Sequence, residues 1–255
     1  MKFSANLGFL WADRPLPDAV RAAHAAGFDA VECHWPYDTP AKAVKAVLDE
    51  TGLEMLGLNT RRGDVHAGDN GLSAIPGREG EARAAIDEAV AYARALGTRN
   101  IHVMAGFSDA PEAHGVFVEA LRYACDAGAA FGMTMLIEPL NRFDAPGYAL
   151  RDTAHAAEII ADVGAENLRL MFDCYHVGRT EGDVLAHLRV LLPIIGHIQF
   201  AAVPDRGAPD HGEVDYASVF AEISALGWDR PLGAEYKPGG DTDATLGWLR
   251  ALRAA

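Results

Sequence analysis

The feature that most constrains the fold is an alternation of short apolar segments with longer helical segments, repeated eight times along the chain. Each apolar segment is flanked by turn-forming or polar residues, as is typical of parallel strands buried on both faces. The predicted strands cover residues 2–8, 28–33, 53–59, 100–106, 133–139, 168–173, 195–201 and 231–236. Strict alternation of strand and helix predicts a parallel sheet with right-handed crossovers.

Helical periodicity fills the intervals between these strands, and six of the helices stop at a glycine, the residue that most easily forms a left-handed C-cap. The predicted helices cover residues 16–26, 40–51, 79–96, 111–131, 151–163, 180–192, 215–226 and 241–253. Eight such units of about 32 residues predict a (β/α)8 TIM barrel that forms one domain over residues 1–255. The alternative, a doubly wound open sheet, would normally carry a glycine-rich phosphate turn after an early strand, and the sequence has none.

Charge and cysteine content exclude several classes of protein. The formal net charge is −14 and lysine and arginine form no long runs, whereas a nucleic-acid-binding protein needs a basic surface. The three cysteines are far apart and form no C-x-x-C motif, which argues against a disulfide framework or a thiolate zinc site. No apolar stretch of about 18 residues is present, and the N-terminal apolar run is too short and polar for a signal peptide. We therefore expect a cytoplasmic protein without a membrane span.

Four polar residues stand where the last four predicted strands end: Glu138, Asp173, Gln199 and Glu235. In a barrel, the C-terminal ends of the strands converge over its mouth. Three carboxylates brought together would repel one another, and a divalent cation relieves that repulsion. Because all four side chains offer oxygen, Mg²⁺ or Mn²⁺ is favoured over Zn²⁺. Any one of these residues could instead cap a helix or pair with an arginine, so the hypothesis depends on the pattern across four successive strands.

Several longer stretches resemble the hydroxypyruvate isomerase family, which belongs to the xylose-isomerase-like superfamily of metal-dependent TIM barrels. They are IEPLNRFDAPGY (137–148), MFDCYHVGRTEGD (171–183), GHIQFAAVPDRGAPDHGEVDY (196–216) and GAEYKPGGDT (233–242), together with residues 28–38 and 63–79. The resemblance runs in order along nearly the whole chain. It implies that the four strand-end residues bind the metal, and that Glu138 and Glu235 also transfer the proton.

The resemblance further suggests substrate contacts for His176 and Arg206. His176 follows Asp173 by three residues, and the alternative is a histidine on a surface loop. Arg206 lies in a loop rich in glycine and proline, where it could be merely solvated. Lys237 follows Glu235 by two residues and can face the same mouth, although a solvated lysine is an equally good interpretation. We predict these three residues as the substrate-binding set.

The third predicted metal ligand departs from the ketohexose epimerases of the superfamily, which carry histidine there in an H-x-H segment. Here the segment is His197-Ile198-Gln199, so the site keeps hard oxygen ligands. The expected function is metal-dependent isomerisation of a small hydroxy/oxo acid, with hydroxypyruvate to tartronate semialdehyde as the first candidate. The alternatives are a 2-oxotetronate isomerase or a sugar epimerase, and more remotely an apurinic endonuclease or a non-catalytic sugar-acid-binding protein. The sequence leaves a homo-oligomer open.

Overall fold

The order of strands and helices in the computed structural model, which describes residues 1–254, follows the predicted alternation. The strands are β1 Phe3–Asn6, β2 Ala30–Glu32, β3 Glu54–Met55, β4 Gly57–Asn59, β5 Asn100–His102, β6 Thr134–Ile137, β7 Leu168–Asp173, β8 Ile195–Phe200 and β9 Leu232–Ala234. The helices are α1 Leu16–Ala25, α2 Ala41–Thr51, α3 Glu79–Leu96, α4 Ala113–Ala129, α5 Thr153–Val163, α6 Cys174–Thr180, α7 Val184–Leu191, α8 Tyr216–Ala225 and α9 Gly247–Ala254. Short 3₁₀ helices occupy Pro36–Asp38, Val65–Ala67, Leu192–Ile194 and Thr242–Thr245. The last residue of the predicted domain, at position 255, lies outside the described residues.

The residues form two compact units. The first consists of Met1–Leu56, Asp173–Pro193 and the chain from Ile198 onward. Its strands pair in parallel: β2 with β3 and β1, β1 with β9, and β9 with the end of β8. The register sets Asn6 opposite Glu32, and Gln199 opposite Gly233. Polar residues at these strand ends are thereby brought to neighbouring positions.

Aromatic packing forms part of the core of this first unit. The ring of Phe3 lies edge-on to Phe200 at 5.9 Å, to Phe220 at 5.5 Å and to Trp248 at 5.2 Å between ring centroids. All four side chains are buried. Burial of each such ring contributes on the order of 1.5–3 kcal/mol, and the edge-to-face geometry adds to it. This cluster holds β1, β8, α8 and α9 together.

The second unit consists of Gly57–Phe172 and Ile194–His197. Within it β4, β5, β6 and β7 pair in parallel in that order, with Asn59 opposite His102 and His102 opposite Leu136. Helix α3 buries a stripe of mostly alanine residues, which allows close packing against its neighbours. Strand β5 ends in His102, and Glu138 follows the last residue of β6.

The predicted strand over residues 53–59 is in fact two strands, interrupted at Leu56. Strand β3 pairs with β2, whereas β4 pairs with β5. Leu56 itself donates its N–H to the carbonyl oxygen of Val31 at 2.7 Å. The apolar pattern of the segment is continuous, so only the pairing of its two halves with different partners separates them.

Two further local features bear on the predictions. The predicted glycine caps adopt left-handed conformations, with φ of 72° at Gly52, 79° at Gly97 and 70° at Gly164. Helix α6 was not predicted, because it is short and contains Gly178; a Cβ at Gly178 would lie 3.0 Å from the Val203 side chain, so close packing explains the glycine. Among residues 1–254, no helix is long and apolar enough to cross a membrane.

Candidate active site

Asp173 ends β7 and begins α6, and its two carboxylate oxygens are used differently. Its Oδ1 accepts a hydrogen bond from the N–H of Tyr175 at 2.9 Å and so caps the helix. Its Oδ2 is buried and accepts no hydrogen bond from the described residues. Two basic side-chain nitrogens approach Oδ2, His176 Nε2 at 3.6 Å and Arg206 Nη2 at 3.8 Å, and both lie beyond hydrogen-bonding distance. Helix capping therefore accounts for Oδ1 but gives no role to the buried Oδ2.

Glu235 follows β9 directly and accepts hydrogen bonds on both oxygens. Its Oε1 accepts from Asn6 Nδ2 at 2.8 Å and from His34 Nε2 at 2.9 Å. Its Oε2 accepts from the guanidinium of Arg206. Although burial pushes the pKa of Glu235 upward, Arg206 and the hydrogen bond from His34 hold that pKa well below its usual range. The carboxylate is thus kept ionised in a buried position.

The pKa of the neighbouring Asp173 is shifted in the opposite direction. Burial, and next the negative charge of Glu235, raise the pKa of Asp173 to about 7, against a smaller opposing effect of Arg206. Glu235 has the better donors, so it holds the negative charge more readily of the two. A buried carboxyl group whose pKa is raised in this way is stabilised in its charged form by a nearby cation.

Gln199 presents its amide to the same site. Its Nε2 donates to Glu32 Oε1 at 2.9 Å and lies 3.4 Å from Glu235 Oε1. Its Oε1 is buried and has no hydrogen-bond donor among the described residues. An unsatisfied buried oxygen is costly, and Gln199 Oε1 and Asp173 Oδ2 are two such atoms in one unit. Both are oxygen donors that suit Mg²⁺ or Mn²⁺, so the residues present fit the predicted metal.

Arg206 is held rigidly in its loop. Its backbone has a φ of +59°, its N–H donates to Ala202 O at 2.9 Å, and its carbonyl oxygen accepts from Lys237 N at 2.7 Å. The guanidinium lies over the rings of Phe9 and Tyr175, at 4.8 and 5.0 Å from their centroids. Such stacking suits the planar guanidinium and fixes its orientation. The solvated alternative for Arg206 is therefore wrong.

The other two predicted substrate-binding residues differ in their surroundings. His176 is buried in the first turn of α6, next to the ring of Tyr175, so it is not a histidine on a surface loop. The side chain of Lys237 is exposed, and its backbone serves to hold Arg206. The structure thus brings His176 and Arg206 together with Asp173 and Glu235, while their contacts with substrate remain a prediction.

Glu138 belongs to the second unit, where it follows β6 directly. It is buried, and its Oε2 lies 3.5 Å from His102 Nδ1. The loop that follows is ordered by Asn141, whose Oδ1 accepts from the N–H groups of Phe143 at 3.1 Å and Asp144 at 3.0 Å. The asparagine of the E-P-L-N segment therefore shapes the loop after Glu138.

Three polar residues of the first two strands were missed by the sequence reasoning: Asn6, Glu32 and His34. Asn6 ends β1, Glu32 ends β2, and His34 follows two residues later. All three lie in hydrogen-bonding contact with Glu235 or Gln199. The signal that identifies the later four residues, a polar side chain where an apolar strand ends, would have found Asn6 and Glu32 had it been applied to the early strands.

Comparison with known proteins gives consistent matches over the whole chain. A family model described as xylose isomerase-like TIM barrel matches residues 20–252. A 2-oxo-tetronate isomerase from Cupriavidus necator is 43% identical over 253 residues, covering 98% of this chain and 97% of the relative. A hydroxypyruvate isomerase from Escherichia coli K12 is 38% identical over 258 residues, covering 99% and 100%. A crystal structure described as AP endonuclease, family 2, from Brucella melitensis has a TM-score of 0.95 and 35% identity, covering 98% of both chains. The predicted (β/α)8 fold class is confirmed.

Proposed function

Because the chain belongs to the xylose isomerase-like TIM barrel family, we propose that it isomerises a small acid bearing a hydroxyl and an oxo group on adjacent carbons. It is an isomerase of the aldose–ketose type, like the relatives named hydroxypyruvate isomerase and 2-oxo-tetronate isomerase. Hydroxypyruvate, converted to tartronate semialdehyde, is the first candidate substrate, and 2-oxotetronate is the second. The observation that carries the proposal is the buried, ionised Glu235 beside Asp173 and Gln199.

The reaction moves a proton between two carbons. In hydroxypyruvate a base removes a proton from C3, which leaves an enediolate, and an acid then delivers a proton to C2. The hydroxyl proton passes from the C3 oxygen to the C2 oxygen, so C3 ends as the aldehyde and C2 as the alcohol. C3 is oxidised and C2 is reduced, so no external oxidant is needed. Glu235 and Glu138 are the proposed pair for these two transfers. Glu235 is suited to begin as a base because its low pKa keeps it deprotonated at neutral pH.

We propose that Asp173, Gln199 and Glu235 of the first unit bind Mg²⁺ or Mn²⁺; Glu138 is kept as a fourth ligand on the sequence pattern alone. The unsatisfied Asp173 Oδ2 and Gln199 Oε1 support this assignment, as does the raised pKa of Asp173. When bound, such a cation polarises the carbonyl and stabilises developing negative charge on oxygen.

The substrate carboxylate is assigned to Arg206, with His176 beside it. Guanidinium offers two parallel donors that match a carboxylate. Lys237 is the second candidate for this contact. Arg61 or Arg62 is the third candidate; the guanidinium of Arg61 donates to both carboxylate oxygens of Glu88, at 2.6 and 3.1 Å.

An apurinic endonuclease is the second candidate function, since the similar Brucella melitensis structure carries that description. The net charge of −14 argues against DNA binding. The amide of Gln199 also argues against it, since a zinc cluster for phosphodiester cleavage would favour histidine ligands. A duplex with one abasic site tests this alternative directly.

The experiment compares hydroxypyruvate, 2-oxotetronate, a ketohexose and the abasic duplex side by side. The protein is treated with a chelator, dialysed and assayed without metal and with Mn²⁺ or Mg²⁺. We expect turnover of one of the two acids only in the presence of metal. Preference for the ketohexose would overturn the substrate assignment, full activity in verified metal-free protein would overturn the metal, and cleavage of the duplex would favour the second candidate.

A further inference from the structure

A third buried carboxylate in the first unit, Glu32, lies behind Gln199 and Glu235 in the hydrogen-bond network. Only 4% of Glu32 is exposed. It accepts hydrogen bonds from Ser4 Oγ at 3.1 Å, Asn6 Nδ2 at 3.2 Å and Gln199 Nε2 at 2.9 Å. Asn6 Nδ2 also donates to Glu235 Oε1 at 2.8 Å. Glu32 therefore contacts one proposed ligand, Gln199, directly and is linked to another, Glu235, through Asn6.

The hydrogen bond from Gln199 to Glu32 fixes the orientation of the Gln199 amide. A glutamine amide can rotate to exchange its oxygen and nitrogen, and only the oxygen is a metal ligand. A carboxylate has no N–H to donate, so it accepts from the amide nitrogen and repels the amide oxygen. With Nε2 held by Glu32, Gln199 Oε1 is left as the buried oxygen without a donor.

Gly233 provides an independent indication that the sequence preserves this contact. It lies opposite Gln199 in the register of β8 and β9. A Cβ at this position would lie 2.5 Å from Glu32 Oε1 and 2.7 Å from Gln199 Cγ. Both distances are shorter than a normal contact, so a larger residue would require the side chain of Glu32 or Gln199 to shift.

We propose that Glu32 is a positioning residue that orients the Gln199 amide so that its oxygen is presented to the metal. The proposal rests on the function proposed above, because it presupposes a metal bound at Gln199. It assigns to Glu32 the same task that carboxylates perform behind histidine ligands, where loss of the outer partner typically weakens metal binding 10- to 100-fold.

The first test measures Mn²⁺ affinity of Glu32→Gln by titration calorimetry and by the electron paramagnetic resonance signal of free Mn²⁺. The new amide can turn either end toward Gln199, so the fixed orientation is lost while size is kept. We expect the Kd for Mn²⁺ to rise about 10- to 100-fold. Glu54→Gln is the matched control, since Glu54 is an exposed glutamate on the adjacent strand β3, and it should leave the Kd unchanged.

A second variant separates orientation from charge and remains informative if Glu32→Gln does not fold. Glu32→Asp keeps the carboxylate but withdraws it by one methylene from Gln199. If Glu32 orients Gln199 through their hydrogen bond, Glu32→Asp should also bind Mn²⁺ more weakly than the wild-type protein. A wild-type Kd in Glu32→Asp would show that only the charge of Glu32 matters and would overturn the proposal.

A double-mutant cycle then asks whether Glu32 acts through Gln199. In the Gln199→Ala background there is no amide to orient, so Glu32→Gln should change the Kd far less than in the wild-type background. An equal fold-change in the Kd for Mn²⁺ in both backgrounds would overturn the proposal. If the wild-type protein binds Mn²⁺ but isomerises neither acid, the proposed function fails while this inference stands. If it isomerises an acid and Glu32→Gln binds Mn²⁺ normally, only this inference fails. A wild-type protein that binds neither Mn²⁺ nor Mg²⁺ overturns both.

Discussion

Replacement of Arg206 by alanine gives the sharpest test of how the site recognises an acid. The guanidinium is largely buried, donates to Glu235 and is stacked between two aromatic rings. The backbone of residue 206 is fixed by two main-chain hydrogen bonds, so the loop should persist when the side chain is truncated. The variant therefore removes a positioned cation with little change in the surrounding backbone.

Two separate effects are expected. A hydrogen bond to a charged group is worth about 1.5–3 kcal/mol, which corresponds to a roughly 10- to 150-fold rise in KM for an acid substrate. Loss of the cation beside Glu235 also lets the pKa of Glu235 rise, because burial is then less opposed, and this second effect acts on acid and neutral substrates alike. The ratio of kcat/KM for acid over neutral substrate isolates the first effect.

The assay compares hydroxypyruvate with dihydroxyacetone, a neutral hydroxyketone of similar size, at saturating Mn²⁺. Arg206→Ala should lower kcat/KM for the acid about 10- to 150-fold more than for the neutral compound. Arg206→Lys should recover part of the loss, since an ammonium supplies charge but not two parallel donors. Equal losses on both compounds would refute the reasoning and leave Arg206 only the task of holding Glu235.

Two further predictions concern the acid–base residues and the cysteines. Gln199→Ala should keep part of its activity at saturating metal, whereas Glu138→Gln and Glu235→Gln should stay inactive there, because an amide cannot accept the carbon proton; near wild-type rates for both glutamine variants would refute the proton-transfer roles. Burial raises the pKa of Cys125 to about 12, so at pH 8 the thiolate fraction of Cys125 is on the order of 10⁻⁴. Because the thiolate is the reactive form, iodoacetamide should modify Cys125 roughly a thousandfold more slowly in the native than in the unfolded protein. Mass spectrometry of timed samples measures the rates, and comparable native and unfolded rates would contradict the buried placement.

The sequence predicted the strands and helices well where periodicity is strong, and less well where pairing decides the structure. Helix α3 and strand β7 begin and end at the predicted residues. The break at Leu56 was invisible, because an apolar pattern does not show that the two halves of a segment pair with different strands. Helix α6 was missed because a single turn or two with an internal glycine has little propensity of its own.

For the site, the sequence predicted the residue types that gather at strand ends but not the hydrogen bonds between them. The register between β1, β2, β8 and β9 decides which donor reaches Glu235. It also decides which end of the Gln199 amide lies next to Glu32. Spacing along one chain segment does not contain that information. The same limit explains why the sequence offered a substrate contact or a solvated side chain for Arg206 but not the pairing with Glu235 that the structure shows.

The distribution of hydrogen bonds separates the residues that the proposed cation would stabilise from the residue that the protein stabilises by itself. Glu235 is stabilised as an anion by Arg206, His34 and Asn6, so its charge persists without metal. Asp173 has one oxygen without a donor and a raised pKa, and Gln199 has an oxygen without a donor. The free energy of metal binding should therefore come mainly from satisfying Asp173 and Gln199. On the proposed metal assignment, loss of metal should therefore affect two elements of the first unit most: α6, which Asp173 caps, and the end of β8, which carries Gln199.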